Sequence, residues 1–144
     1  MATKIDGLNV GDVVAERTFE ISRDSLVRYA GASGDFNPIH YRDDVADSVG
    51  LPGVLAHGML TMGIAGSVVT DWCGSDLHVT SFQVRFTKPV VVDPTTGATL
   101  SVVAVVGDIS TDEAGDHSAR VDLTVTSHTG EKVLGKAQMV VSPR

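Results

Sequence analysis

The sequence is poor in cysteine and aromatic residues, and its basic residues are scattered. Among 144 residues there is one cysteine, Cys73, so no disulfide can form within the chain. Such cysteine usage favours a reducing compartment, and we expect the cytoplasm. Acidic residues outnumber basic ones by 18 to 11, which gives a net charge of −7, and no run of Lys or Arg interrupts it. The pattern therefore lacks the electrostatic footprint of a nucleic-acid-binding protein.

Long hydrophobic runs are also missing. The first twelve residues hold no apolar run after Lys4, so we expect no secretory signal. The longest stretch without a formal charge is 48–70, and it contains Pro52, His57 and five glycines. That composition is typical of a loop followed by a buried helix rather than of a membrane span. With 42% hydrophobic and 20% charged residues, the chain is expected to form one domain, 1–144, with a sizeable core.

Hydrophobic periodicity predicts a strand and two short helices near the amino terminus. Apolar and polar side chains alternate over 13–21, as in a strand with one buried face. Ser22 is a typical N-cap, so a short helix is expected to follow it and to end at Gly31. A second short helix is expected over 42–48.

A long helix is predicted over 58–72. Its residues are apolar on nearly every side, so most of its surface is expected to be buried. Gly63 and Gly66 disfavour a helix by about 1 kcal/mol each relative to alanine. We expect both glycines to be compensated by a close approach to a packed sheet.

The second half of the chain is predicted to form antiparallel strands, because apolar and polar residues alternate there. A polar hairpin loop at 107–116 and a tighter turn at 128–131 separate them. Strands that follow helices indicate an α+β protein. One long apolar helix with such a sheet curled around it is the hotdog arrangement, although periodicity does not distinguish it from other α+β sandwiches. The expected strands are 82–86, 99–106, 119–126 and 132–141.

A short loop with the sequence GDFNPIH holds the first candidate site. Asp, Asn, Gly and Pro are common turn residues, so a plain turn is one interpretation. Pro38 excludes a continuous helix over 34–41, and the resulting turn can bring Asp35 close to His40. A carboxyl group and an imidazole around one cavity form a general acid–base pair. Both interpretations stay open on the residues alone.

A second motif, AHGMLTMG, places Gly58 at the start of the long helix, and His57 follows His40 by seventeen residues. The first N–H groups of a helix lack intrahelical partners and carry partial positive charge. Because glycine leaves the helix end unobstructed, an oxygen that develops negative charge can approach the Gly58 amide.

Two other chemistries are weaker. Asp35, His40 and His57 offer the three ligands of a hydrolytic zinc site, but their spacing matches no zinc signature and no His-x-x-x-His pair is present. We therefore expect no metal. Cys73 follows Trp72 near the carboxyl end of the predicted helix, where the helix dipole disfavours a reactive thiolate.

Together the two motifs resemble the MaoC-like, R-specific hydratase/dehydratase family, whose motif is Gly-Asp-x-Asn-Pro-aliphatic-His followed by His-Gly-Met. The longer match, which includes AHGMLTMGIAG and VRF, is similar to the B-subunit branch of mycobacterial-type (3R)-hydroxyacyl-ACP dehydratases. The resemblance covers most of the chain. It implies a hotdog fold, a dimer, no cofactor, and thioester substrates on the phosphopantetheine arm of ACP or CoA. The matching positions are Gly34, Asp35, Asn37, Pro38, Ile39, His40, His57, Gly58 and Met59.

The resemblance also implies residue roles. Asp35 and His40 would be the catalytic pair, the Gly58 amide would bind the thioester oxygen, and Asn37 would support the loop. The His57 side chain would be structural. The reaction would interconvert a (3R)-hydroxyacyl thioester with a trans-2-enoyl thioester and water, in the catalytic subunit of a fatty-acid-elongation dehydratase. A different hotdog partner subunit is expected, with a homodimer as the other possibility.

Rival functions share this fold. One is an R-specific enoyl-CoA hydratase that acts as a homodimer, and a second is a hotdog thioesterase. A third is a non-catalytic hotdog subunit, which the intact pair of Asp35 and His40 argues against. Arg85 and Lys88 are candidates for contact with an acidic carrier or a CoA phosphate, or they form the solvated face of a strand.

Overall fold

A computed structural model describes residues 2–144, and all five strands lie in one antiparallel sheet. The strands follow the order β1-β3-β4-β5-β2, so β1 and β2 are the two edges. A 3₁₀ turn at Pro38–His40 separates the first two helices. The elements in chain order are β1 Val13–Ile21, α1 Arg23–Ser33, α2 Asp43–Ser48, α3 Gly58–Cys73, β2 Leu77–Phe86, β3 Ala98–Thr111, β4 His117–Ser127 and β5 Leu134–Pro143.

The sheet curls around α3, and this confirms the hotdog fold. The inner side of the helix is buried through Ala65, Val68 and Val69. Gly66 lies so close to the sheet that an added Cβ atom would be 2.9 Å from the ring of Phe82. The close approach predicted for Gly66 is therefore confirmed, because any larger side chain would push the helix away from β2.

The outer side of α3 differs from the prediction. Apart from its two neighbours and the backbone of its own helix, nothing lies within 4 Å of the position that a Cβ of Gly63 would occupy, so its predicted packing against the sheet is wrong. Met59, one helical turn earlier, is 58% exposed. A single sheet covers only one face of a helix. A helix that is apolar on all sides therefore keeps one apolar face uncovered within a single chain.

Several predicted boundaries shift. Helix α1 passes Gly31 and ends at Gly34, whose φ of 78° supplies the left-handed conformation of a helix C-cap. Strand β2 begins five residues before the predicted 82, because a bulge between Val79 and Ser81 interrupts its alternation. Strand β3 extends to Thr111, which shortens the predicted loop at 107–116. Cross-strand pairing continues through these polar residues because both faces of the hairpin end are solvated.

A second irregularity lies where β5 begins. The register of β2 and β5 shifts between the pairs Gln83–Gln138 and Arg85–Gly135, so β5 carries an additional residue there. Lys136 lies in this bulge with φ of 45°, and among residues 2–144 it is the one non-glycine residue with positive φ. In the same range, no helix is both long enough and apolar enough to cross a bilayer.

Candidate active site

The loop after α1 is built from turn hydrogen bonds. The Asp35 N–H donates to the Ser33 hydroxyl oxygen at 3.1 Å. Asp35 Oδ1 in turn accepts from the Asn37 N–H at 3.1 Å, and Asn37 Oδ1 accepts from the Ile39 N–H at 3.3 Å. Pro38 then begins the 3₁₀ turn that carries His40 inward. The short polar side chains thus fix the backbone that presents them.

Asp35 and His40 are brought together by this turn. Asp35 Oδ2 lies 3.8 Å from His40 Nε2, and the side chains are 51% and 10% exposed. The distance exceeds that of a direct hydrogen bond, so both atoms can contact one water or one substrate group between them. A half-exposed carboxyl group beside a buried imidazole fits a site that opens to solvent on the carboxyl side.

The tautomer of His40 follows from its other nitrogen. His40 Nδ1 lies 2.7 Å from the carbonyl oxygen of Leu55. Because a carbonyl oxygen can only accept, Nδ1 carries the proton of this hydrogen bond. In the neutral ring Nε2 is consequently a bare nitrogen that faces Asp35, which is the state required of a base.

His57 lies directly behind His40. The two rings are stacked with centroids 3.8 Å apart, and Tyr29 packs edge-on against His57 at 4.7 Å. His57 Nε2 donates to the backbone carbonyl of Asp35 at 3.1 Å, whereas Nδ1 is buried without a hydrogen-bond partner. The polar atoms of His57 therefore hold the loop backbone, while its ring packs against the ring of His40.

Burial lowers the pKa of His57 below its ordinary value, since an imidazolium is poorly solvated there. The hydrogen bond to the Asp35 carbonyl opposes this shift, and the neighbouring His40 adds to it. His57 thus stays neutral near pH 7. A neutral ring also avoids placing a second positive charge 3.8 Å from His40 when His40 accepts a proton.

A cavity of about 350 Å³ connects His40 with the amino end of α3. Gly58 lines it and is the first helical residue, so its N–H has no intrahelical acceptor. Phe86 covers Gly58 so closely that an added Cβ would lie 3.0 Å from its ring. The wall opposite the helix is apolar and includes Val90 and Leu134. The cavity thus combines apolar side chains with a free amide donor and an imidazole.

The set of Asp35, His40 and His57 also has to be tested as a metal site. Their potential ligand atoms lie within 4.8 Å of one another. Ligand atoms of tetrahedral zinc are about 3.4 Å apart at bond lengths near 2.1 Å. The rings of His40 and His57 are stacked nearly parallel, 3.8 Å apart, so their free nitrogens do not converge on one point as metal ligands would. The geometry favours an acid–base pair over a metal centre.

Cys73 is buried at the end of α3, and burial raises the pKa of its thiol. This environment disfavours a nucleophilic thiolate, in agreement with the expectation from sequence.

Three contributors to the site were not predicted from sequence. The Leu55 carbonyl orients His40, Tyr29 packs on His57, and Phe86 lies over Gly58. Phe86 ends a strand whose alternation was recognised, so its place beside a predicted helix could have been inferred from a hotdog topology. The Leu55 carbonyl is a backbone atom and leaves no mark in the sequence.

Comparisons with known proteins agree with this architecture. The MaoC like domain family matches residues 9–128. The chain is 40% identical over 70 residues to 3-hydroxyacyl-thioester dehydratase X of Mycobacterium tuberculosis. The matched segment covers 49% of this chain and 24% of that protein. It is 32% identical over 87 residues to the (R)-specific enoyl-CoA hydratase of Rhodospirillum rubrum, which covers 60% of each. The matched segments thus span a quarter to three fifths of these relatives.

A solved structure of a MaoC-like dehydratase superposes with a TM-score of 0.85 at 35% identity, over 97% of this chain and 42% of that one. A five-stranded antiparallel sheet around one helix defines a hotdog-fold protein, and here a loop with an acid and an imidazole lies beside the amino end of that helix. Since the family match includes most of its residues, the chain belongs to the MaoC-like domain family.

Proposed function

We propose that the protein is a (3R)-hydroxyacyl-thioester dehydratase, which also hydrates trans-2-enoyl thioesters in the reverse direction. The observation that carries this proposal is the bare Nε2 of His40, 3.8 Å from the Asp35 carboxyl group. The names of the dehydratase and hydratase relatives support the same chemistry. The cavity beside this pair includes Val90, Val133 and Leu134 in its lining, which suits an acyl chain.

In dehydration, His40 Nε2 removes the C2 proton and the electron pair of that bond forms the C2=C3 double bond. The C3–O bond breaks, and protonated Asp35 gives its proton to the departing hydroxyl group, which leaves as water. The proton on His40 then returns to Asp35, and the short separation of the two groups favours this transfer. Hydration follows the same steps in reverse.

The Gly58 amide is proposed to stabilise the charge that develops on the thioester oxygen. It is the first N–H of α3, and the helix dipole adds partial positive charge at this end. One such donor typically contributes about 3–4 kcal/mol to transition-state stabilisation. Asn37 contributes indirectly, because its side chain holds the turn that carries His40.

A hotdog partner subunit completes the proposal. Strand β2 is an unpaired edge, and the outer face of α3 exposes Met59. Edges and apolar faces of this kind favour association. We propose a heterodimer in which this chain is the catalytic subunit of a cytoplasmic fatty-acid-elongation dehydratase. A homodimeric R-specific enoyl-CoA hydratase is the second candidate, favoured by the match to the Rhodospirillum enzyme.

The test replaces Asp35→Asn and His40→Gln separately and measures hydration of crotonyl-CoA, alone and with candidate partner subunits. Each variant is expected to lose about 10²–10⁴-fold in kcat, because the acid–base step is lost. Asp47→Asn and His78→Gln change the same residue types at exposed positions outside the site and should keep full activity. Wild-type rates in either folded site variant would remove that residue from the mechanism. Release of free thiol instead of hydration would identify a thioesterase.

A further inference from the structure

Four basic side chains without a partner lie together at one corner of the sheet. Six of the eleven lysines and arginines donate to a carboxylate or a carbonyl, as Arg17 does to Asp71 and Lys4 does to the Trp72 carbonyl. Within residues 2–144, the other five make no ion pair and no side-chain hydrogen bond. All five are exposed. Arg28 lies on α1, and the other four form what we call the basic corner, namely Arg85, Lys88, Lys132 and Lys136.

The pairing of β2 with β5 creates this corner. Arg85 pairs with Gly135, and the chain after β2 stays attached to the chain before β5. The Thr87 N–H donates to the Val133 carbonyl at 3.1 Å, and the Thr87 hydroxyl donates to the Lys132 carbonyl at 2.9 Å. Two segments that are 45 residues apart in sequence thus present their cations side by side.

The corner adjoins the proposed active site. Lys88 lines the same cavity as His40 and Gly58. Arg85 and Lys136 line a neighbouring surface depression of about 210 Å³. Glu131 is the one carboxylate in these two segments, and it accepts a hydrogen bond from Thr129. A protein with net charge −7 therefore exposes unneutralised positive charge beside the entrance to its cavity.

One of the four cations, Lys136, has a strained backbone conformation. Lys136 has φ of 45° in the β5 bulge, a conformation that glycine adopts without penalty and that side chains rarely adopt. Gly135 directly precedes it, and a glycine at position 136 would adopt this φ without steric cost. Bulges often redirect side chains next to active sites. The positive φ of Lys136 thus fixes the direction in which this cation leaves the strand.

We propose that the basic corner docks an acidic carrier protein that delivers the acyl thioester into the cavity. This proposal rests on the proposed function. A nucleotide-bearing carrier fits less well, because the depression is smaller than the roughly 300 Å³ of typical small-molecule pockets. Exposed cations on an open surface instead suit electrostatic steering of a macromolecule of opposite charge.

The experiment compares one acyl group on three carriers, namely crotonyl-pantetheine, crotonyl-CoA and a crotonylated acidic acyl carrier protein. The assembled enzyme carries Lys132→Glu, Lys136→Glu or both. We expect the double variant to lose about tenfold in kcat/KM with the carrier protein at low salt. Rates with pantetheine and CoA should change less than about twofold. The loss should shrink in 1 M salt, where the screening length is about 3 Å.

Arg28→Glu is the control for each single reversal, because Arg28 is also exposed and unpaired within residues 2–144 but lies on α1 outside the basic corner. An equal loss in this control would overturn the proposal, since net charge alone would explain it. A loss shared by CoA and carrier protein would assign the corner to phosphate groups, and unchanged rates with all three carriers would also overturn the docking surface. Full activity with pantetheine keeps the proposed function intact in either case.

Lys136→Gly separates charge from packing. Glycine relieves the strained backbone at this position, so the variant should melt at or above the wild-type temperature. We nevertheless expect kcat/KM with the carrier protein to fall about threefold, with no change for pantetheine. A variant that keeps wild-type rates with the carrier protein would remove Lys136 from the surface.

Discussion

His40 and His57 are two buried imidazoles stacked on each other, and they differ in what their nitrogens face. Each binds a backbone carbonyl through one nitrogen, His40 that of Leu55 and His57 that of Asp35. The second nitrogen of His40 faces a carboxyl group, whereas the second nitrogen of His57 faces no partner at all. One ring is available for proton transfer, and the other supports it from behind.

Proximity to a site therefore does not by itself give an imidazole a chemical role. His57 is less exposed than His40 and is packed by Tyr29 as well as by His40 itself. An unpaired buried nitrogen costs about 1–3 kcal/mol. That cost is offset by the stacking contacts and by the hydrogen bond that holds Asp35 in place.

Among substitutions that test the difference between His40 and His57, removal of the His57 ring is expected to have the largest effect. His57→Ala deletes a buried aromatic side chain and the donor to the Asp35 carbonyl, so the free energy of unfolding should fall by about 3 kcal/mol. His57→Gln keeps an amide N–H near the position of Nε2 and should lose less than half as much, with kcat within about tenfold of wild type. Urea unfolding and the hydration assay measure both. Wild-type stability in His57→Ala would contradict the supporting role.

A smaller effect is expected from pH. The pKa of His57 is lowered in the folded protein. Below about pH 6.5, His57 is therefore protonated to a greater extent in the unfolded chain than in the folded one. Stability should accordingly decrease as the pH falls from 7 to 5, by at most about 1.4 kcal/mol per pH unit from this group.

His57→Gln lacks the titrating group, so it should show a shallower decrease in urea unfolding at pH 7, 6 and 5. Three carboxyl groups with lowered pKa, Asp43, Asp44 and Asp93, contribute only at more acidic pH. An identical slope in the variant and the wild type would show that folding does not lower the pKa of His57.

The smallest effect concerns the packing behind His57. Tyr29→Leu removes the edge-on aromatic contact and should lower the free energy of unfolding by about 1 kcal/mol. Tyr29→Phe keeps the ring, and the Tyr29 hydroxyl makes no hydrogen bond within residues 2–144, so this variant should match wild type. Thermal unfolding distinguishes the two. Equal losses in both variants would assign the contribution to the hydroxyl group instead.

Much of the fold could be predicted because the local signals agree with the packing. Strand β1 begins and ends at the predicted residues, and α3 extends one residue beyond 72. The predictions were wrong where the local structure depends on contacts with another element of the fold. The first half of β2 is polar and interrupted by a bulge, and Gly63 faces outward because only one sheet covers α3.

The candidate site divides in the same way. Asp35, Asn37 and His40 lie within six residues, so turn chemistry alone brings them together. The carbonyl that orients His40 comes from Leu55, fifteen residues later, and only the tertiary structure shows it. A sequence gives the identity of each side chain, but it does not show which backbone carbonyl will bind His40 and so set its tautomer.

The backbone of Leu55 has a consequence for how the substrate range can change. Its carbonyl accepts from His40 and its N–H donates to the Ile39 carbonyl at 3.1 Å, while its side chain lines the cavity. The orientation of His40, the proposed base, is thus anchored through main-chain atoms that every residue except proline possesses. Mutations of the side chain at position 55 can therefore reshape the cavity proposed to hold the acyl chain without changing the orientation of His40. Selectivity and reactivity are separable at one residue, which makes this position a natural starting point for redesign of the substrate range.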